Sequence, residues 1–223
     1  MNVSYNFVAD LTMPDLSDYD LLNAKEKLEV ERLAGCYDYD PNSNYKRDIF
    51  ALEKEYNEKL AAVKKGVDTY WLSKPLHTVL NHKHSLYLDG GSDNFRFGFD
   101  LQYTNQDGVM KGSIRDRVGA GIFVQYTYKS LSIRNDISFL ITKSKESPYG
   151  DFSKFAKQLP YDEYKDENGN YLEYLRDWSS FSSKNENPLY EPNLNSFDKS
   201  SGEELVNNFS INWKIFPSLL LKG

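Results

Sequence analysis

The sequence holds one cysteine, Cys36, in 223 residues, which excludes an internal disulfide framework and any cysteine-rich metal site. Histidine is nearly as scarce, at three residues. Basic residues are in deficit: 27 Lys and Arg stand against 33 Asp and Glu, a formal net charge of -6. That balance argues against nucleic acid as a main partner, because binding phosphates needs a basic surface. Long hydrophobic runs are missing too: none approaches the roughly 20 apolar residues of a spanning helix. A membrane β-barrel is not excluded, since its strands alternate and never become continuously apolar. The opening Met1-Asn2-Val3-Ser4-Tyr5 has neither the basic stretch nor the apolar core of a signal peptide. The expectation is therefore a cytosolic protein or a piece of a longer one. Aromatic residues are what the chain has in plenty, with 17 Tyr and 13 Phe. Tyr-rich strands with polar loops suit a boundary between an apolar phase and water.

Six segments alternate with period two, the signal of a half-buried strand. The first aligns Val3, Tyr5, Phe7, Ala9 and Leu11 on one face. The second, near 82–89, is weaker. The third is the cleanest: Phe95, Phe97, Phe99, Leu101 and Tyr103 lie opposite Arg96, Gly98, Asp100, Gln102 and Thr104. The fourth puts Val118, Ala120, Ile122, Val124, Tyr126 and Tyr128 on one face, and the fifth Leu131, Ile133, Ile137, Phe139 and Ile141. The sixth aligns Leu205, Phe209, Ile211, Trp213 and Ile215, and Leu219-Leu220-Leu221 begins a seventh. Several reach the ~9–11 residues that a tilted strand needs to cross a bilayer.

The connections are asymmetric. Short turns fall at 90–94, at Lys129-Ser130 and at Phe216-Pro217-Ser218, while the stretches 13–81 and 143–204 are long. In an up-and-down meander every short turn then lies at one end and every long loop at the other, the arrangement of outer-membrane barrels. The long loops carry local order. Residues 46–65 read as a helix with Ile49, Leu52, Tyr56, Leu60 and Val63 in one stripe. Residues 20–34 read as a second, with Ser17 or Asp18 as caps and Gly35 as its stop. The stretch 146–199 has no clear period.

A set of short stretches adds to this reading. In order, they are Asp20-Leu21-Leu22-Asn23-Ala24-Lys25-Glu26-Lys27-Leu28-Glu29, Leu33-Ala34-Gly35, Gly66-Val67-Asp68-Thr69-Tyr70-Trp71-Leu72 and Pro75-Leu76-His77-Thr78. Then come His84-Ser85-Leu86-Tyr87-Leu88-Asp89-Gly90-Gly91, the stretch 103–113, Ser147-Pro148-Tyr149-Gly150, Lys157-Gln158-Leu159-Pro160-Tyr161 and Asn187-Pro188-Leu189-Tyr190. With these, the chain resembles the SusC/RagA-type TonB-linked outer-membrane proteins over nearly its whole length. One departure is Tyr70, where the family commonly has Asp before the Trp. The family's signal peptide, small β-sandwich domain, TonB box, plug and later barrel strands have no counterpart in this sequence, so the resemblance is to the early barrel region.

The expected fold is all-β with helical loop insertions. It is a partial transmembrane antiparallel β-barrel, an up-and-down meander of about six strands and the start of a seventh. Strands are expected near 2–12, 82–89, 95–104, 117–128, 131–142 and 205–216, with 13–81 and 143–204 as long extracellular loops. The resemblance implies an outer-membrane transporter that imports oligosaccharides or other large nutrients, peptide among them. It also implies a SusD-like surface lipoprotein as lid, TonB as energy coupler through a part outside this sequence, and a lipid bilayer around the wall. The rival reading is a soluble or surface-exposed all-β carbohydrate-binding module, whose apolar face would meet a second sheet rather than lipid.

The residues offer little chemistry. His82 and His84 point the same way on a strand, and His77 is near in sequence, but no carboxylate motif accompanies them, so they read as ordinary polar residues. Asp38, Asp40, Asn42 and Asn44 start like a calcium loop, yet Ser43 and Ile49 stand where Gly and Glu belong. Cys36 has no neighbouring base. The acidic stretch 161–167 lies in a turn-rich loop rather than on the rigid frame that glycosidase carboxylates need. No catalytic residue, metal ligand or cofactor is expected. The loop aromatics are the group with a binding role in view: Tyr149, Phe152, Tyr161, Tyr164, Tyr171, Tyr174, Trp178, Phe181 and Tyr190. Of these, Tyr171, Tyr174 and Trp178 are the candidates for ligand or partner contact; the competing reading is that they pack the loop onto itself.

Overall fold

The computed structural model describes residues 1–41, 48–178, 184–194, 196–216 and 218–223. Asn42, Ser43, Asn44, Lys46, Phe181 and Pro217, each part of an expectation above, lie outside them. The chain divides into two compact units. The first comprises Met1–Met13, Thr78–Ser147 and Phe197–Gly223, and the second Pro14–His77 and Pro148–Ser196.

The first unit is one antiparallel sheet of seven strands. Along the chain they are β1 (Asn2–Thr12), β2 (Val79–Gly91), β3 (Phe95–Asp107), β4 (Ile114–Tyr128), β5 (Leu131–Lys145), β8 (Lys199–Phe216) and β9 (Leu219–Lys222). Each pairs with the next in chain order, so the sheet is a meander. It does not close among the described residues: β1 and β9 each have a neighbour on one side only. Several strands outrun their expected limits, β8 most of all, with 18 residues beginning at Lys199. Its first residues are polar on both faces, so hydrophobic alternation could not mark them as strand.

The register puts like with like, because residues directly opposite in an antiparallel pair share a face. Phe97 faces Val124, and Phe99, Ile122 and Ile137 form one row across three strands. Ala120, Phe139 and Leu205 form the next, and Ile133 faces Ile211. This apolar face is open: Leu205 is 71% exposed, Phe209 59% and Ile122 47%. Asn135 and Asn207 interrupt it, and the Asn135 Oδ1 is buried without a hydrogen-bond partner. The other face carries Arg96, Asp100, Gln102, Gln125, Arg134 and Asp136. Phe123 is an apolar residue there, as are Leu140 and Val206. Phe123 faces Gly98, where a Cβ would stand 2.1 Å from its ring, and the Arg134 guanidinium covers it at 4.3 Å. Gly98 has no side chain because Phe123 occupies the space.

The β2–β3 turn needs glycine for a different reason. Gly91 has φ +146°, and an added Cβ would lie 2.0 Å from the Phe95 carbonyl oxygen. The Ser92 N–H donates to that same oxygen at 2.6 Å.

The second unit holds α1 (Ala24–Leu33), α2 (Ile49–Lys64), the short α3 (Ser153–Ala156) and a two-stranded ribbon, β6 (Tyr174–Leu175) with β7 (Asn185–Glu186). The first helix starts at Ala24, later than the expected residue 20, and its cap is Asn23 rather than Ser17 or Asp18. Asn23 accepts the Glu26 N–H at 2.9 Å while the Glu26 carboxylate accepts the Asn23 N–H at 3.0 Å, a capping box. Asp68 takes the Ala24 N–H at 2.9 Å, so the helix start is held from a distant segment as well. Gly35, at φ +74°, ends the helix as expected. Asp48 caps α2 through the Ala51 N–H.

Candidate functional site

The loop unit has the molecule's buried core. Trp71, Leu72, Phe155, Leu175 and Leu189 form it, with Leu16, Tyr149, Phe152, Tyr164 and Tyr171 packed against it. Two polar groups tie its irregular backbone together. The Trp71 Nε1–H donates to the Leu159 carbonyl at 2.8 Å. The buried Asn187 donates its amide to the Tyr164 and Leu172 carbonyls, at 3.1 and 2.6 Å, and accepts the Leu189 N–H. A loop with no ladder satisfies its buried backbone through side chains of this kind.

Beside this core lies a buried ionic cluster. The Lys59 ammonium stands 2.8 Å from Glu55 and 3.2 Å from Glu31. The Tyr161 hydroxyl donates to Glu31 at 2.9 Å, and so does the Tyr37 hydroxyl. The ammonium also lies within 5.6 Å of the ring centres of Tyr37, Tyr161 and Trp178. Burial pushes the Glu31 carboxyl up, but the hydrogen bond from Tyr37, the Lys59 charge and the remaining hydrogen bonds hold it below its ordinary value. The Tyr37 and Tyr161 hydroxyls are raised, by burial first and by their contacts with Glu31 next. Asp162 is fully buried; burial raises its pKa to about 6, against the Trp178 Nε1–H bond at 2.5 Å that favours its charged form.

A groove of about 540 Å³ opens on the same unit. Tyr149, Tyr174 and Tyr190 line it, with Lys154, Lys157 and Lys184 and the carboxylates of Glu173, Glu186 and Glu191. Aromatic faces, both signs of charge and amide groups equip it for a polar chain molecule that also has apolar surface. Lys184 lies 4.9 Å from the Tyr174 ring centre, so one aromatic face already has a cation over it.

The three candidate aromatics are not brought together. Tyr174 lines the groove and is 38% exposed. Tyr171 packs on the core, stacks on Tyr164 with ring centres 6.1 Å apart, and has Lys165 over it at 4.4 Å. Trp178 belongs to the ionic cluster, edge-on to Tyr161 and bonded to Asp162. Lys59, Asp162 and Asn187 were not visible as structural residues in the sequence. The Glu55–Lys59 spacing of four on a helix was the one available signal.

The remaining polar candidates fall elsewhere. His82 and His84 do share a face of β2, 5.2 Å apart between ring centres. The Tyr5 hydroxyl lies 2.7 Å from the His84 Nδ1, and Phe7 and Tyr103 pack on the pair. Cys36 is exposed. Among the described residues no three His, Cys, Asp or Glu side chains gather as metal ligands.

No family model and no curated protein matches the chain. Solved structures do. The chain is similar in fold to the RagAB peptide transporter. The likeness has a TM-score of 0.72 at 15% identity and covers 99% of this chain and 27% of the RagAB chain. Structures of the RagAB peptide importer in its closed-closed and open-open states give TM-scores of 0.71 and 0.67, at 14% and 17% identity. The chain thus spans about a quarter of the length of the RagAB chains it matches. With 99% coverage the likeness takes in the loop unit as well as the sheet, and it agrees with the SusC/RagA resemblance read from the residues. At this identity what is shared with RagAB is the fold.

Proposed function

We propose that the chain forms part of the wall and outer loops of a TonB-dependent outer-membrane transporter. The observation that carries this reading is the exposed apolar face of a single seven-stranded meander, whose first six strands are long enough to cross a bilayer. In water such a face is a large apolar patch; against lipid it is the ordinary outer wall of a barrel. No described helix is long and apolar enough to cross a membrane, which says nothing of strands. The fold likeness to a peptide importer supports the transport role.

In this reading the groove of the loop unit contacts the imported nutrient, an oligosaccharide or a peptide, or a SusD-like lipoprotein lid. TonB acts through a part of the transporter outside this chain. The lysines and carboxylates around Tyr174 suit a peptide, with its charged ends and side chains, at least as well as a neutral sugar. The chemistry is binding and passage rather than catalysis.

Expression of the full chain tests the reading. It is expected in the membrane or aggregate fraction and to need detergent for dispersal, because the apolar face and both sheet edges are open. A monodisperse monomer in plain buffer with a cooperative melt would overturn it in favour of a soluble carbohydrate-binding module.

A further inference from the structure

The loop end of the β5–β8 ladder carries charge where the face below it is apolar. Lys145 stands directly opposite Lys199, and Lys143, two residues along β5, shares their face. Nearer the middle of the sheet the same face continues through Ile141, then Phe139 and Leu205. Like charges directly opposite one another weaken a ladder. Asp116 stands opposite Lys143, and Glu203 opposite Ile141, one row nearer the apolar face. Among the described residues, however, none of the three lysines forms an ion pair.

A second observation lies at the same place. Phe197 is 72% exposed, and the Lys199 ammonium sits 4.8 Å from its ring centre. An exposed aromatic beside lysines, at the rim of an apolar face, is the pattern of residues that sit at the level of lipid headgroups.

We infer that Lys143, Lys145 and Lys199, with Phe197, hold the phosphate of an anionic lipid headgroup whose acyl chains lie on the apolar face below. The inference rests on the lipid-facing reading of that face. A phosphate seated between Lys145 and Lys199 relieves their repulsion. Its position also fits the lipid: Lys143 is two residues, roughly 7 Å along the strand, from Ile141, within reach of a lysine stem. A free anion would make no use of Phe197 or of the apolar face, whereas a phospholipid engages all three.

The test is co-sedimentation of the full chain, diluted from detergent, with phosphatidylcholine vesicles or with vesicles partly of phosphatidylglycerol. Phosphatidylglycerol is expected to raise retention roughly 30- to 150-fold, as two or three surface lysines would. The gain should vanish in Lys145→Gln/Lys199→Gln and persist in Lys83→Gln, on the opposite face of β2. Equal retention by both vesicles, or a preference that survives the double substitution, overturns the inference. Loss of the preference to inorganic phosphate at constant ionic strength also overturns it, in favour of a free-anion site. Brominated acyl chains test the underlying reading separately, through quenching of the emission that Trp213→Phe removes. Quenching without a phosphatidylglycerol preference defeats the headgroup site alone, whereas absence of quenching defeats the lipid-facing wall and the site with it.

Discussion

In the sheet, Leu205, Phe209 and Phe7 leave half or more of their surface open, while in the loop unit Leu72, Phe155 and Tyr161 are wholly buried. Of the buried hydrophobic side chains among the described residues, Val79 alone belongs to the sheet. The order of the backbones runs the other way. The sheet has a ladder across seven strands, with one register shift between β8 and β9; the loop unit has a two-residue ribbon and is otherwise held by caps, by Asn187 and by one ionic cluster. The difference teaches where stability resides in each. A sheet can be specified by backbone pairing and turns while its apolar face waits for another medium. A segment without ladders has to build its own core and satisfy its polar groups one at a time.

The sharpest way to break this comparison is Lys59→Met. It takes the ammonium from between the buried Glu31 and Glu55, with Lys27 still 3.6 Å from Glu31, and removal of one side of a buried ion pair costs about 3–5 kcal/mol. The expected result is a lower denaturant midpoint for the emission of Trp71 and Trp178, with the far-ultraviolet strand signal kept. Phe155→Ala should act in the same range, about 3–5 kcal/mol. Phe209→Ala in detergent should cost under about 1 kcal/mol, since that ring meets no protein core. Similar losses at both positions would mean that the sheet has a core of its own.

The sheet has its own weak point in the turn. Gly91→Ala forces a Cβ against the Phe95 carbonyl, and strain of this type costs on the order of 1–3 kcal/mol. Gly202→Ala meets nothing within 4 Å and should be close to neutral. Thermal unfolding of the two variants in detergent separates them; equal melting temperatures would show that β2 and β3 pair without the turn.

The loop unit alone should respond to mild acid. Asp162 has a folded pKa of about 6 against an ordinary 3.8, so its contribution is fully present below the ordinary value and is lost as pH rises through about 6. Glu31 is held low, so its contribution is present above its ordinary 4.5 and lost as pH falls through its folded value. Stability of the loop unit should therefore rise by about 1.4 kcal/mol from pH 8 to pH 5 through Asp162, and below about 4.5 the loss at Glu31 opposes any further rise. Asp162→Asn should flatten the rise while keeping the Trp178 contact. A rise of the same size in Asp162→Asn would assign it to another group.

The smallest effect separates binding from packing. In a complete transporter carrying this chain, Tyr174→Ala should weaken nutrient or lipoprotein binding by about 1–2 kcal/mol if the groove is the contact. Stability should be unchanged, since this ring is half open. Tyr171→Ala and Trp178→Phe should instead lower the loop unit's melting temperature, because their rings serve the core and the ionic cluster. Affinity is read by titration and lid recovery by co-purification; unchanged values for Tyr174→Ala would move the contact off the groove.

The sheet was legible because strand side chains repeat every two residues and the apolar set has to share one face. Phe97, Phe99, Ile122, Val124, Ile137 and Ile211 do so. The polar start of β8 was not legible, because Lys199, Ser201 and Glu203 occupy the face that Leu205 and Phe209 mark farther along. Within the loops one helix showed through its apolar stripe, 46–65, and the other through its glycine stop, Gly35. Lys59 hid inside one of them, since a buried lysine has the same spacing as an exposed one until its carboxylates are located. Tyr171, Tyr174 and Trp178 looked alike in sequence and took three different roles.

Alternation, turn residues and loop lengths along the chain by themselves determined the meander, its apolar face and the strand ends from which the long connections leave. Those signals are local, and a ladder propagates them from one strand to the next. Tertiary structure alone decided that the loops form a unit with its own core and that Tyr174 lines a groove while Trp178 does not. It also decided that Lys59 and Asp162 are buried together. Each depends on which of many distant segments meet, and a single chain's periodicity carries no record of contacts between segments that share no ladder.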